Sequence, residues 1–385
     1  MSVTAAQGFE AAGVAVGLKS TGKPDVAVVV NRGPLKVGAA VFTSNRAKAN
    51  PIIWSQQVIQ DGVVEAIVLN SGGANCFTGP FGFQTTHQTA EKAGELLGVS
   101  AGDVLVCSTG LIGTGDEVFR AKVLAGTEQG IAELTADGGE AASLAIMTTD
   151  SRPKRSVFTG DGWTIGGMAK GAGMLAPGLA TMLVVITTDA VLTAEQADAA
   201  LRQATGRTFD RLDSDGCMST NDQVTLMVSG ASGVTPDADA FAAALAEVSQ
   251  DLAKQLQGDA EGASHDITIL VQNAATEQDA VEVGRSVARN NLFKAAIFGN
   301  DPNWGRVLAA IGTTRAAFDP YDVDVWMNGV RVCSQGGPDA PREDVDLTPR
   351  ATDLIIDLKV GAASATILTN DLTHDYVHEN SAYSS

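Results

Sequence analysis

Aromatic side chains make up only 5% of the 385 residues, and there are just 4 cysteines. Cys76, Cys107, Cys217 and Cys333 stand far apart, with no Cys-x-x-Cys pair and no histidine nearby at zinc-ligand spacing. That pattern gives no zinc site and reads as reduced, mostly buried thiols. Positive charge is scarce as well: 26 Lys plus Arg face 45 Asp plus Glu, a formal net charge of -19. A field of that sign repels nucleic acid and anionic membrane surfaces, so neither is an expected partner. Small anionic substrates stay open, because one lysine or a few backbone N–H groups reverse the potential inside a pocket. No run reaches the roughly 20 apolar residues that cross a bilayer, and the opening MSVTAAQGFEAAGVAVGLKS has no basic stretch followed by a long apolar one. The expected compartment is the cytoplasm.

What is abundant is hydrophobic residues, at 44%, and glycine, at 42 residues. The first supplies one large core or two coupled ones; the second suggests tight turns and loops that present backbone N–H groups to a ligand. Short β-branched runs predict strands at Val26 to Val30, Ala66 to Leu69, Val104 to Val106, Met182 to Thr187, Ile267 to Val271 and Leu354 to Leu358. Between them lie helices. One places Phe241, Leu245, Val248, Leu252 and Leu256 on a single face behind the capping sequence PDAD. Another starts at Thr193, with Gln196 completing a capping box, and runs to about Thr205. The mixture indicates an α+β or α/β fold. The Gly-dense stretch from Thr164 to Gly178 separates two halves, which puts a boundary near residue 180.

Lys170 to Ala190, KGAGMLAPGLATMLVVITTDA, sets a Gly-rich loop, a Pro turn and an Ala-Thr pair before an apolar strand. Taken alone, Thr181 is a β-branched residue opening a strand, or a hydroxyl at the mouth of a buried one. The segment resembles the processing site of the glutamate N-acetyltransferase (ornithine acetyltransferase) family of arginine biosynthesis. The resemblance runs essentially from end to end, through CSTGLIG (107–113), IMTTDSRPK (146–154), DSDGCMSTND (213–222), FGNDPNWGR (298–306) and the terminal HENSAYSS. One departure is Gly73 in NSGGAN, where similar proteins more often carry a second Asn.

The resemblance implies a layered α+β sandwich of mixed β-sheets flanked by helices, like N-terminal nucleophile hydrolases but differently connected. It implies self-cleavage between Ala180 and Thr181, giving an α-chain of residues 1–180 and a β-chain of residues 181–385 that pair and dimerise as α2β2. Thr181 then carries acetyl from N-acetylornithine to glutamate, with Thr109 and Gly110 as the oxyanion hole. Substrate contacts fall on Thr148, Lys170, Thr181, Glu261, Asn380 and Ser385. No metal or cofactor is implied, and acetyl-CoA is left open as a second acetyl donor.

Each of these residues has a plainer reading on sequence alone: Lys170 as a solvated loop charge, Thr148 as a helix cap, Glu261 as a surface turn, the tail as a frayed end. DSDGCMSTND holds Asp213, Asp215 and Asp222 but lacks the twelfth-position Glu of a calcium loop. His374 and His378 have i, i+4 spacing without a third zinc ligand. GAGMLA (171–176) fits G-x-G-x-x-A, a weak dinucleotide fingerprint that belongs between a strand and a helix. The competing functions are a self-processing hydrolase passing the acyl group to water, a nucleotide-binding module, and a catalytically dead scaffold of the same fold.

Overall fold

Strands that are apolar at every position must be covered on both faces, and two stacked sheets meet that demand. The computed structural model describes residues 2–176 and 182–382. A four-stranded sheet, in the order β1-β2-β4-β5, comprises β1 (Phe9–Val14), β2 (Val26–Asn31), β4 (Ala66–Ser71) and β5 (Val104–Thr109). A five-stranded sheet runs β3 (Val37–Phe42), β9 (Gln223–Val228), β8 (Leu183–Thr188), β7 (Thr164–Lys170), β6 (Lys154–Thr159). The neighbours β4 and β5 are parallel, as are β8 and β9, while the other pairs in these two sheets are antiparallel.

Side-chain alternation sorts each strand between two cores. Ile67 and Leu69 of β4, with Leu105 and Cys107 of β5, meet Met168, Leu183, Val185 and Met227 of the other sheet in one cluster. The opposite faces turn outward. Val28, Val68 and Val106 pack under α1 (Asn50–Val58), α2 (Gly79–Leu97) and α3 (Glu117–Ala132). Ile165, Val184, Ile186 and Leu226 pack under α5 (Ala194–Arg207) and α6 (Ala238–Gln257). The result is a helix, sheet, sheet, helix sandwich, with the short α4 (Gly139–Ala145) against β1 and β2.

Both predicted helices are present with the expected caps. Thr193 and Gln196 form the reciprocal capping box of α5, and the Asp237 side chain accepts the N–H groups of Asp239 and Ala240 at the start of α6. Phe241, Leu245, Val248, Leu252 and Leu256 are all buried.

A third sheet, in the order β13-β12-β11-β14-β10-β15, lies in the C-terminal part. It contains β10 (Asp266–Ala274), β11 (Asp324–Met327), β12 (Val330–Ser334), β13 (Gly337–Pro338), β14 (Ala351–Asp357) and β15 (Ala363–Asn370). Its buried face packs with α7 (Glu277–Ala288), α8 (Asn291–Phe298) and α9 (Trp304–Ile311). The chain closes with α10 (His374–Ala382).

The Gly-dense stretch differs from its sequence reading. Its first half is strand β7, not a separator, and glycine is what lets the strand sit there. A Cβ on Gly166 would lie 2.2 Å from the Ser2 carbonyl oxygen. Segments on both sides of residue 180 are stitched into one sheet, with Lys170 of β7 opposite Leu183 of β8 and Gly38 of β3 opposite Met227 of β9. Ala180, Thr181 and Ser385 lie outside the described residues.

Candidate active site

At the ends of β5 and β7 the two stacked sheets leave a cavity of about 210 Å³. Thr109, Gly110, Thr148, Lys170, Glu261 and Asn380 line it together with Thr149, Gly173, Met174, Asp215, Cys217 and Tyr376. Residues up to 271 positions apart in sequence, from Thr109 to Asn380, therefore share one small volume.

Thr109 is the last residue of β5 and is buried, and Gly110 leaves the strand at φ +124°. Two asparagines hold the turn in place. Asn70 accepts the Ser108 hydroxyl at 2.6 Å and donates to the Gly73 carbonyl at 3.1 Å. Asn221 donates to the Ala74 carbonyl at 2.7 Å and the Ser108 carbonyl at 2.8 Å. Gly73 itself donates its N–H to the Thr109 carbonyl at 3.0 Å. The missing side chain at residue 73 is filled by Phe119, whose ring would stand 2.6 Å from a Cβ there. The departure noted at this position is thus matched by a local aromatic.

Lys170 ends β7 and is only 1% exposed, so it is no solvated loop charge. Its Nζ donates to Thr109 Oγ1 at 3.3 Å, which leaves the Thr109 hydroxyl hydrogen free for another acceptor. Burial pushes the Lys170 amine below its ordinary value, and Lys154 adds to that, against the upward pull of Asp150, Glu261 and Asp222. Burial would by itself raise Asp150, but Lys170, Lys154 and the Gly171 N–H outweigh it and hold its carboxyl below the usual range.

Behind the cavity, Lys154 is fully buried and donates to Asp150 at 2.6 Å and to Asp259 at 2.6 Å. Asp150 also accepts the N–H of Thr148 at 3.0 Å and of Gly171 at 2.6 Å. Thr148 therefore sits in a bend fixed by Asp150 and is not a helix cap. Removing Lys154 takes the shared cation from two buried carboxylates. Lys154→Met is expected to lose about 3–5 kcal/mol of unfolding free energy, read as a lower midpoint in urea titration.

Glu261 lies in a turn with its backbone N–H on the Ala172 carbonyl at 3.0 Å. Its carboxylate accepts the Thr149 hydroxyl at 2.8 Å and the Asn380 amide at 3.1 Å. Gly173 permits that approach, since a Cβ there would meet the Glu261 carboxylate at 2.5 Å. Asn380 belongs to α10, which brings the tail to the cavity mouth. A second cavity of about 260 Å³ shares Asp215, Glu261 and Tyr376 and reaches Lys294 and Asp371.

The three aspartates of 213–222 separate. Asp213 pairs with Arg289 at 2.7 Å, Asp215 accepts the N–H groups of Met174 and Cys217, and Asp222 accepts that of Met182 at 3.1 Å. GAGMLA follows β7 and is itself not helical; its first glycine N–H serves Asp150. His374 stacks edge-on against Phe298 at 5.4 Å. Among the described residues no set of three His, Cys, Asp or Glu side chains could hold a metal ion, and no helix is long and apolar enough to cross a membrane.

Sequence reading alone does not single out Thr149, Asp150, Lys154, Asp259, Asn221 or Tyr376. The first three fall inside IMTTDSRPK, where Thr149 and Lys154 have partners, Glu261 and Asp259, more than 100 residues away.

Stacked mixed sheets closing on a strand-end threonine, a positive-φ glycine and a buried amine define an α+β protein with a small polar cavity at its strand ends. The chain belongs to the ArgJ family, which it matches over residues 10–385. A Streptomyces coelicolor protein named arginine biosynthesis bifunctional protein ArgJ is 63% identical over 385 residues, the whole of both chains. A protein of the same name from Thermobifida fusca is 59% identical, again over the whole of both. A solved ornithine acetyltransferase from Mycobacterium tuberculosis, complexed with ornithine, is 47% identical. It covers 47% of this chain and 96% of its own, with a TM-score of 0.45. Family membership makes this chain an acetyltransferase of arginine biosynthesis.

Proposed function

We propose that the chain cuts itself between Ala180 and Thr181, and that Thr181 then moves acetyl from N-acetylornithine to glutamate. The observation that supports this most is the convergence of Thr109, Gly110, Lys170, Glu261 and Asn380 on one cavity where β7 ends and the strand after residue 181 begins. Cleavage exposes an α-amine on Thr181. Its ordinary pKa of about 7.7–8.0 leaves a useful neutral fraction near pH 7 to serve as base for the adjacent hydroxyl.

Thr181 Oγ attacks the acetyl carbonyl of N-acetylornithine, and the oxyanion that forms accepts from the Thr109 hydroxyl and the Gly110 N–H. The C–N bond breaks, ornithine leaves with the proton, and acetyl stays on Oγ as an ester. Glutamate then attacks that ester through its amine and restores the hydroxyl. Lys170 holds the substrate α-carboxylate, Glu261 faces the cationic amine of ornithine or moves the proton, and Thr148, Asn380 and Ser385 complete the contacts. No metal or cofactor enters these steps. Acetyl-CoA as a second donor, the α2β2 assembly of cut chains and a cytoplasmic setting belong to the same reading.

Incubation with N-acetylornithine and glutamate is expected to give ornithine and N-acetylglutamate in equal amounts with ping-pong kinetics. Release of free acetate in place of acetylglutamate would sink the transferase reading in favour of a hydrolase.

A further inference from the structure

Ornithine and glutamate share an α-amino acid end but carry opposite charges at the far end of the side chain, an ammonium on one and a carboxylate on the other. A subsite of one sign would favour one and repel the other. The cavity of about 260 Å³ beside the candidate active site carries both signs, with Asp215, Glu261 and Asp371 lining it alongside Lys294. It meets the first cavity along Asp215, Glu261 and Tyr376.

Lys294 belongs to α8 and is only 5% exposed. Among the described residues its Nζ makes a single hydrogen bond, to the Ser214 carbonyl, although an ammonium has three donors. The carboxylates around it are held by other groups. Asp215 accepts the N–H groups of Met174 at 2.7 Å and Cys217 at 3.1 Å. Asp371 accepts those of Ser264 and His265, each at 3.0 Å, and faces His265 Nδ1 at 2.8 Å. Asp213 pairs with Arg289 at 2.7 Å. Burial pushes the Lys294 amine below its ordinary value, against the upward pull of Asp215, Asp213, Asp371 and Cys217. A buried cation with spare donors at the wall of a cavity is costly to keep, and an incoming carboxylate offsets that cost.

Resting on the reading of the chain as a transferase from N-acetylornithine to glutamate, we propose that Lys294 is a specificity residue that receives the side-chain carboxylate of glutamate in the second cavity. Lys170 holds the α-carboxylate that both substrates possess, and the side chain then runs past Glu261 into the second cavity. Glutamate ends on the spare N–H groups of Lys294. Ornithine, carrying the opposite charge, is met by the carboxylates of Glu261 and Asp215.

With N-acetylornithine as donor, kcat/KM is measured for glutamate and for glutamine, its neutral isostere, as acceptors. The wild type is expected to favour glutamate by at least about 30-fold, the usual effect of removing one partner of a buried charge pair. Lys294→Met should bring the ratio to about one, raising KM for glutamate far more than KM for N-acetylornithine. A general loss of structure would lower the rates with both acceptors together and leave the ratio alone. An unchanged ratio in the variant therefore overturns the proposal, while acetyl transfer itself stands. If Lys294→Met does not fold, Lys294→Gln takes its place in the same comparison, and a wild type that uses glutamine as well as glutamate overturns the proposal without any variant. A wild type that passes acetyl to neither acceptor removes the transferase reading and this proposal with it.

Discussion

Thr181→Ala is expected to stay a single uncut chain with no measurable acetyl transfer. One hydroxyl performs both tasks in the proposed cycle, first attacking the Ala180 carbonyl and then carrying the acetyl group, so its loss removes nucleophile and maturation together. Removing the nucleophile of a hydrolytic triad costs on the order of a million-fold in kcat, and here the base is lost as well, because the α-amine never appears. The fold should be untouched, since strands from both sides of residue 180 pair within one sheet whether or not the chain is cut. Gel analysis, melting temperature and the coupled assay check the three parts separately. Thr181→Ser, which keeps a hydroxyl, is expected to cut and turn over at reduced rate.

Gly110→Ala is expected to lower kcat by about 100-fold to 1000-fold, the usual consequence of spoiling one oxyanion donor. Two independent features of residue 110 lead there. Its φ of +124° is open to glycine and strained for alanine, and a Cβ would lie 2.6 Å from the Gly73 nitrogen and 2.8 Å from the Gly72 carbonyl carbon. That contact is with backbone, which cannot swing away as a side chain does. Relief requires moving the 72–73 loop or rotating the 109–110 peptide, and rotation of that peptide redirects the Gly110 N–H proposed as an oxyanion donor. Steady-state kinetics should show the loss in kcat with KM less affected, because the donor acts on charge that develops in the transition state. An unchanged kcat would remove Gly110 from the oxyanion hole.

How much of this was legible beforehand depends on the kind of feature. Local patterns were: the all-apolar runs of β2, β4 and β5, the capping box at Thr193 and the apolar face from Phe241 to Leu256 each carry their own structure in adjacent residues. Glycine was the least legible. The stretch from Thr164 looked like a separator because glycine weakens a strand in isolation, yet Gly166 is there to let another backbone come close. Buried charge was illegible for a different reason. Nothing within IMTTDSRPK shows that Lys154 is sealed from water, since the second carboxylate that pairs with it, Asp259, is 105 residues away. Lys170 read as a solvated loop charge for the same reason, until Asp150 and the end of β5 are placed beside it. The gathering of Thr109, Lys170 and Glu261 is a property of the stacked sheets, and the family resemblance, not spacing, pointed to those positions.

The central claim is that Thr181 becomes the first residue of a second chain and carries the acetyl group. Intact-mass spectrometry of the purified protein, before and after exposure to N-acetylornithine without glutamate, tests it most directly. Two fragments divided between Ala180 and Thr181 are expected, with the C-terminal one gaining a single acetyl mass that disappears on adding glutamate. One uncut chain that never gains mass would contradict the account.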